Sequence, residues 1–213
     1  RQRCHENIFS ENIELLEKFN LEVMLKKGEI QMNSKPYLFV VTGRSGSGKT
    51  TFSRELGRQM NLPVISRDEL KEGYVHTFGK SHSELLEDSN QIVTETFFKT
   101  VYNLLNDHVS LICEAAFQNK LWEPQLNLIK ERVRIFLLIC KAGDDRRAFD
   151  RATNRDLEDP MRVYYHGNQC DKYADGIEIP PYVEPDLDVP TIHIDTTGDY
   201  KPSIDMLKNR ILM

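Results

Sequence analysis

Beyond residue 36, apolar positions fall into short unbroken runs separated by longer stretches with helical spacing. Tyr37–Val41 (YLFVV), Pro63–Ser66, Val109–Glu114 (VSLICE), Val133–Cys140 and Thr191–Asp195 (TIHID) are short and apolar, and they are read as strands. Thr50–Met60, Ser83–Asn106, Leu121–Glu131, Asp144–Asn154 and Pro202–Leu212 are read as helices. In the longest of these, Leu85, Leu86, Ile92, Val93, Phe97, Val101, Leu104 and Leu105 recur at helical spacing. Strands alternating with helices predict an α/β fold, a three-layer sandwich around a parallel sheet. Residues 156–190 are rich in Asp, Glu, Pro, Tyr and Gly and show no period, so they read as a long irregular segment of the kind that often forms a lid. Residues 1–32 read as a helical N-terminal extension, with Ser10 or Asn12 as a start and Gly28 as a stop. That extension is open to three uses: packing on the core, mediating a homodimer, or forming the tail of a preceding module. The main domain is placed at residues 33–213.

Directly after the first strand the sequence reads Gly43-Arg44-Ser45-Gly46-Ser47-Gly48-Lys49-Thr50, the pattern G-x-x-x-x-G-K-[ST] between a strand and a helix. Three glycines let the backbone lie close against a polyphosphate, with successive N–H groups turned inward. The following helix adds its positive N-terminal end. Lys49 supplies a point charge to the β- and γ-phosphates, and Thr50 a hydroxyl to Mg²⁺. Gly43 to Thr50, with Thr51 behind them, form the expected nucleotide-binding set.

Composition narrows the class without naming a ligand. The chain has 213 residues, 28 basic and 33 acidic, for a net charge of −5. That balance fits a cytoplasmic protein and argues against a broad nucleic-acid surface. Cys4, Cys113, Cys140 and Cys170 form no CxxC pair, and Cys113 and Cys140 lie in apolar runs, so a reducing compartment and no disulfide framework are expected. No run reaches the roughly 18 apolar residues of a membrane span, and no secretory signal is read. His76, His82, His166 and His193 have no metal-ligand spacing.

Candidate chemistry gathers at strand ends, where ligands collect in open α/β sheets. Ser66-Arg67-Asp68-Glu69-Leu70 follows the second strand. Asp68 there suits a general base for an acceptor hydroxyl, with Arg67 steadying the transferred group. The same residues also fit a helix-capping pattern, with Ser66 and Glu69 as a capping box, and position alone does not separate the two. Glu114 ends the third strand and suits Mg²⁺ binding through water or orientation of Asp68; a solvated strand end is the plain alternative. Phe117, just beyond, is open to lining an acceptor pocket or to packing. Arg147, Arg151 and Arg155 lie at i, i+4 steps on one helix face, a like-charge row open to three readings: matched by Asp144, Asp145, Asp150 and Asp156, matched by ATP phosphates, or a solvated charged helix. Asp195-Thr196-Thr197-Gly198 matches D-x-x-G, but it lies far from the phosphate loop and Asn119-Lys120-Leu121-Trp122 lacks the Asp of a guanine-reading motif. The loop bearing Thr197 is therefore read as passing the adenine edge.

Taken in order, GRSGSGKTT, SRDEL, ICEAAF, the arginine-rich segment and HIDTT resemble the P-loop kinase group. The layout is similar to the small phosphotransferases around the kinase domain of phage polynucleotide kinase, chloramphenicol phosphotransferase and zeta toxins. The resemblance covers about residues 36–212. It implies a P-loop NTPase fold with sheet order 2-3-1-4-5, ATP and Mg²⁺, and phosphoryl transfer to a hydroxyl. By position it implies Lys49 and Thr50 at the phosphates and metal, Asp68 as base, and Arg147 and Arg151 on a lid at about residues 144–160. Glu114 stands where relatives often carry Asp.

Three functions fit: a kinase for a small-molecule hydroxyl, a kinase for a nucleic acid 5′-hydroxyl, and a nucleotide-dependent switch without acceptor. A switch needs no base such as Asp68. Residues 67–90 hold Arg67, Lys71 and Lys80 against Asp68, Glu69, Glu72, Glu84, Glu87 and Asp88. That acidic balance favours a small acceptor over a polyanion.

Overall fold

The computed structural model describes residues 35–167, 179 and 181–211. The expected extension at residues 1–32, and Cys4 and Cys170, lie outside the described residues.

The elements in chain order are β1 (Tyr37–Thr42), α1 (Lys49–Met60), β2 (Val64–Ser66), α2 (Arg67–Phe78), α3 (Ser89–Asn106), β3 (Leu111–Glu114), α4 (Asn119–Asn127), β4 (Arg134–Lys141), α5 (Asp145–Glu158), α6 (Pro160–His166), β5 (Thr191–Asp195) and α7 (Ile204–Ile211). The strands pair in parallel in the order β2-β3-β1-β4-β5, the α/β fold and order that the resemblance implied.

Alternation within each strand sorts side chains onto two buried faces. Leu38, Val40, Leu111, Cys113, Leu137 and Ile139 meet Phe97, Val101 and Leu105 of α3 and Trp122 and Leu126 of α4. Phe39, Val41, Ile112, Leu138, Ile192 and Ile194 meet Phe52 and Leu56 of α1 and Ile204 and Leu207 of α7. Cys113 and Cys140 are buried free thiols, and burial pushes both up from their ordinary value, Cys140 to about 12.

Three elements depart from the sequence reading. The helix expected over Ser83–Asn106 starts only at Ser89. Ser81 and Glu84 close a capping box around a 3₁₀ turn at His82–Glu84, and Leu85 then turns extended. That local capping wins over helical spacing, leaving Leu86 73% exposed in the linking loop. α2 carries a weak apolar stripe, with only Lys71 and Val75 buried, so periodicity could not outline it. Part of the segment expected to be irregular forms α6, where Asp159 accepts from Met161 N and Pro160 takes the first helical position.

Register aligns the functional edge. Val41, Ser66 and Glu114 stand side by side at the carboxyl ends of β1, β2 and β3. The phosphate loop leaves β1 one residue later, after Thr42.

Candidate active site

The phosphate loop is built from short local bonds. Ser47 N donates to Arg44 O at 3.2 Å, and Phe52 N donates to Gly48 O at 3.0 Å, starting α1. Gly46 (φ 79°) and Gly48 (φ 82°) take left-handed conformations. A Cβ on Gly46 would stand 1.8 Å from the Ala148 carbonyl oxygen, so α5 lies directly against the loop. The small residues Ala148 and Ala152, both buried, permit that approach. From the other side, Thr196 Oγ1 donates to Ser47 O at 2.6 Å and Thr196 N to Lys141 O at 2.8 Å. Thr196 thereby ties the loop to the ends of β4 and β5.

Lys49 is buried, and its Nζ lies 3.7 Å from Glu114 Oε1. Ser66 Oγ donates to Glu114 Oε2 at 2.8 Å. Ser66 is therefore spent on Glu114 and makes no side-chain cap on α2, while Glu69 pairs with Arg54 at 2.6 Å. The capping box weighed from sequence does not form. Asp68 instead occupies the first turn of α2, 3.7 Å from Arg67 Nη1. Glu114 is no solvated strand end, because it is 1% exposed. Burial raises its carboxyl above the ordinary value, and Lys49 and the Ser66 hydroxyl only partly offset this while Asp68 adds to it. Glu114 Oε1 accepts no hydrogen bond among the described residues, which leaves an oxygen for a cation or a water beside Lys49. Thr50 is half-buried in the first turn of α1. These oxygen donors suit a hard divalent ion such as Mg²⁺.

α5 crosses from the β5 loop to these carboxylates. Arg147 takes its place near Gly143, Thr197 and Asp195. Arg151 is exposed. Arg155 Nε lies 4.0 Å from Asp156; burial and the Arg162 charge lower its guanidinium from the ordinary value, and the charges of Asp156, Asp68 and Glu114 act against them. Its Nε has no hydrogen-bond partner among the described residues. Arg162 of α6 pairs with Asp156 at 3.1 Å, holding the end of α5. Arg44 pairs with Asp145 at 2.7 Å. Ser45 and Thr51 are exposed.

Phe117 is buried against Phe97, Phe98 and Trp122, the packing role of its two readings. Thr197 gives both N–H and hydroxyl to the Asp195 carboxylate, at 2.8 and 2.7 Å. Sequence reading missed Thr196, whose bond to Ser47 spans 149 residues. It also left Lys71 unassigned, although Lys71 is buried beside Arg67. The histidines pair with side chains: His76 with Tyr165, His166 with Glu72 and His193 with Glu184. Among the described residues, no His/Cys/Asp/Glu group is arranged to hold a metal by itself, and no helix is long and apolar enough to cross a membrane.

Comparison with known proteins adds a family. Residues 22–164, more than half of the chain, match the family model described as Zeta toxin. Among solved structures, a candidate kinase from Chloroflexus aurantiacus j-10-fl is similar, at 24% identity and a TM-score of 0.64 over 84% of this chain and 98% of that one. A sugar kinase from Janibacter sp. HTCC2649 is similar at 16% identity and a TM-score of 0.50, over 82% and 93% of the two chains. A chain of the Pnkp1/Rnl/Hen1 RNA repair complex is similar at 17% identity and a TM-score of 0.50, over 73% and 51%. These likenesses establish the shared fold. No curated protein matches the chain.

Proposed function

The chain belongs to the zeta toxin family, within the P-loop kinase group, and from that membership we propose that it transfers the γ-phosphoryl group of ATP to a hydroxyl of a small-molecule acceptor. One observation carries this reading. The buried Lys49–Glu114 pair sits at the phosphate loop, close enough to Asp68 and Arg155 for their charges to act on Glu114.

The loop's N–H groups and Lys49 hold the β- and γ-phosphates. Thr50, and Glu114 directly or through water, would hold Mg²⁺, which would supply charge neutralisation at the phosphates. Asp68 takes the proton of the acceptor hydroxyl as its oxygen bonds to the γ-phosphorus. The bond from the γ-phosphorus to the bridging oxygen breaks, and ADP leaves with that electron pair. Arg155 offsets charge on the group in flight. α5, pressed on the loop at Gly46, acts as the lid that keeps water from the reaction, and Arg147 steadies the nucleotide near Thr197.

The test is transfer from γ-labelled ATP to antibiotics, nucleosides, sugars and oligonucleotide 5′ ends. Asp68→Asn is expected to bind ATP normally and to lose transfer by roughly 10²–10⁴-fold. Undiminished transfer in that variant removes Asp68 as the base. Lys49→Ala is expected to lose turnover with every acceptor.

A further inference from the structure

The short helix α6 depends on its neighbours for its place. It is seven residues long, and none of Met161 to His166 is buried. A helix that short does not hold its shape in water without outside contacts. Those contacts come from two sides. Arg162 pairs with Asp156 at 3.1 Å, which ties α6 back to the end of α5. At its far end α6 leans on α2 and on the 3₁₀ turn at His82–Glu84. Tyr165 Oη stands 2.7 Å from His76 Nε2, with the two rings 5.1 Å apart, and His166 Nε2 stands 3.0 Å from Glu72 Oε1. Gly167 ends the helix so near His82 that a Cβ there would come within 2.6 Å of the imidazole ring.

The helix that receives α6 also carries the candidate base. Asp68, Glu72 and His76 follow one another at four-residue steps, so they form one row along α2. That row is about 12 Å long. Asp68 stands at its start, close enough to Glu114 for its charge to act there. Glu72 and His76 hold α6 on the next two turns. α6 in turn follows on α5, whose last turn begins at Arg155. The chain thus closes a ring. It runs from Asp68 along α2, across two side-chain contacts to α6, and back through Arg162 and Asp156 to Arg155, on which the charge of Asp68 also acts. Tyr165, His166, Glu72 and His76 belong to neither apolar cluster, and His76 is exposed, so the seam adds little to global stability. Its effect is on geometry, because it fixes the end of the lid against the helix of the base.

We infer that Tyr165 and His166 are positioning residues of the transfer reaction: by gripping His76 and Glu72 they hold the lid on α2, and so set where the end of α5, with Arg155, stands against Asp68. This rests on the kinase reading of the cleft. With the grip released, α6 and the last turn of α5 move away from α2, and Arg155 loses its fixed place beside the transferred group. The start of α5 stays where it is, because Ala148 packs on the phosphate loop at Gly46. The nucleotide is held there, so the loss falls on kcat and spares the KM for ATP.

The experiment uses the full chain and three variants: Tyr165→Phe, His166→Ala and the two combined. One readout is hydrogen exchange of backbone amides in α6 and the last turn of α5, with a non-hydrolysable ATP analogue bound. The other is steady-state transfer from γ-labelled ATP to sugars, nucleosides and oligonucleotide 5′ ends. The combined variant is expected to speed exchange there by on the order of 10-fold and to lower kcat by a similar factor, the effect of two partly exposed contacts. The KM for ATP is expected to hold. His166→Gln, whose amide N–H can still reach Glu72, is expected to restore part of kcat. In an Arg155→Ala background the combined variant is expected to lower kcat no further, because the grip acts through Arg155. Faster exchange with an unchanged kcat overturns the positioning role and leaves the kinase reading intact. Unchanged exchange overturns the grip itself. A full further loss of kcat in the Arg155→Ala background overturns the route through Arg155. A fall in Tm of more than roughly 5 °C marks the seam as part of the folding core and overturns the assignment. Wild-type protein that transfers to none of these acceptors removes the kinase reading and the positioning role with it, and the exchange arm then upholds or overturns the grip by itself.

Discussion

Gly46 shows how a single residue sets the limits of the site. Its φ of 79° already disfavours any side chain, and a Cβ would collide with the Ala148 carbonyl. Gly46→Ala is expected to destabilise the fold by about 1–3 kcal/mol and to weaken ATP binding, because the loop must either shift or push α5 away. Thermal melting and calorimetric titration with ATP check both effects. Gly46 and Lys49 were legible in the sequence because a phosphate cradle made of backbone N–H groups needs glycines and a lysine at fixed spacing. Thr196 was not, since its contact with the loop is made only when β5 pairs beside β4. Nor was the burial of Lys71, because counting charges over residues 67–90 says nothing of which way each side chain points.

At the scale of elements, α5 does two jobs at its two ends. Arg147 and Arg155 lie eight positions apart on one face, which is about 12 Å along a helix. Arg147 lies by the β5 loop, and Arg155 lies beside Asp156 where the charges of Asp68 and Glu114 also act on it. Arg155→Ala is expected to lower kcat by on the order of 10²–10³-fold, whereas Arg147→Ala acts mainly on the KM for ATP. Steady-state kinetics on both variants separate the roles, and an unchanged kcat in Arg155→Ala would return the choice to Arg147 or Arg151. The sequence placed these arginines on one helix face, but only the packing of Ala148 and Ala152 on the loop fixed what each end faces.

The start of α5 is also held by charge. Asp145 is partly buried, which by itself raises its carboxyl, but the Arg44 ion pair and the Tyr182 N–H outweigh burial and hold it below the usual range. A lowered carboxylate stabilises the fold fully above its unfolded value, about pH 4. That stabilisation is lost as pH falls through the folded value. Asp145→Asn is therefore expected to flatten the acid limb of a Tm-against-pH curve while leaving its slope near neutrality unchanged. An unaltered acid limb would show that the Arg44 pair adds nothing to stability.

Across the molecule, stability and chemistry occupy separate layers. Phe97 packs edge-on against Phe98, Phe117 and Trp122, well inside the face covered by α3 and α4. Phe97→Ala is expected to cost about 3–5 kcal/mol in denaturant unfolding with little change in ATP affinity, because the phosphate loop is anchored by α1 and Thr196. A large loss of ATP affinity in a still-folded variant would instead tie that aromatic cluster to the donor site. The apolar runs, their spacing and the glycine–lysine loop by themselves determined the strands, the α/β class and the nucleotide-facing loop, since period and backbone geometry are local properties. Tertiary structure alone decided that Ser66 serves Glu114 rather than α2, that Arg155 comes within the influence of Asp68 and Glu114, and that Lys71 is buried beside Arg67. Each of these depends on which strand end or helix start comes to lie beside another, and side-chain direction across such a junction is written in no local stretch of chain.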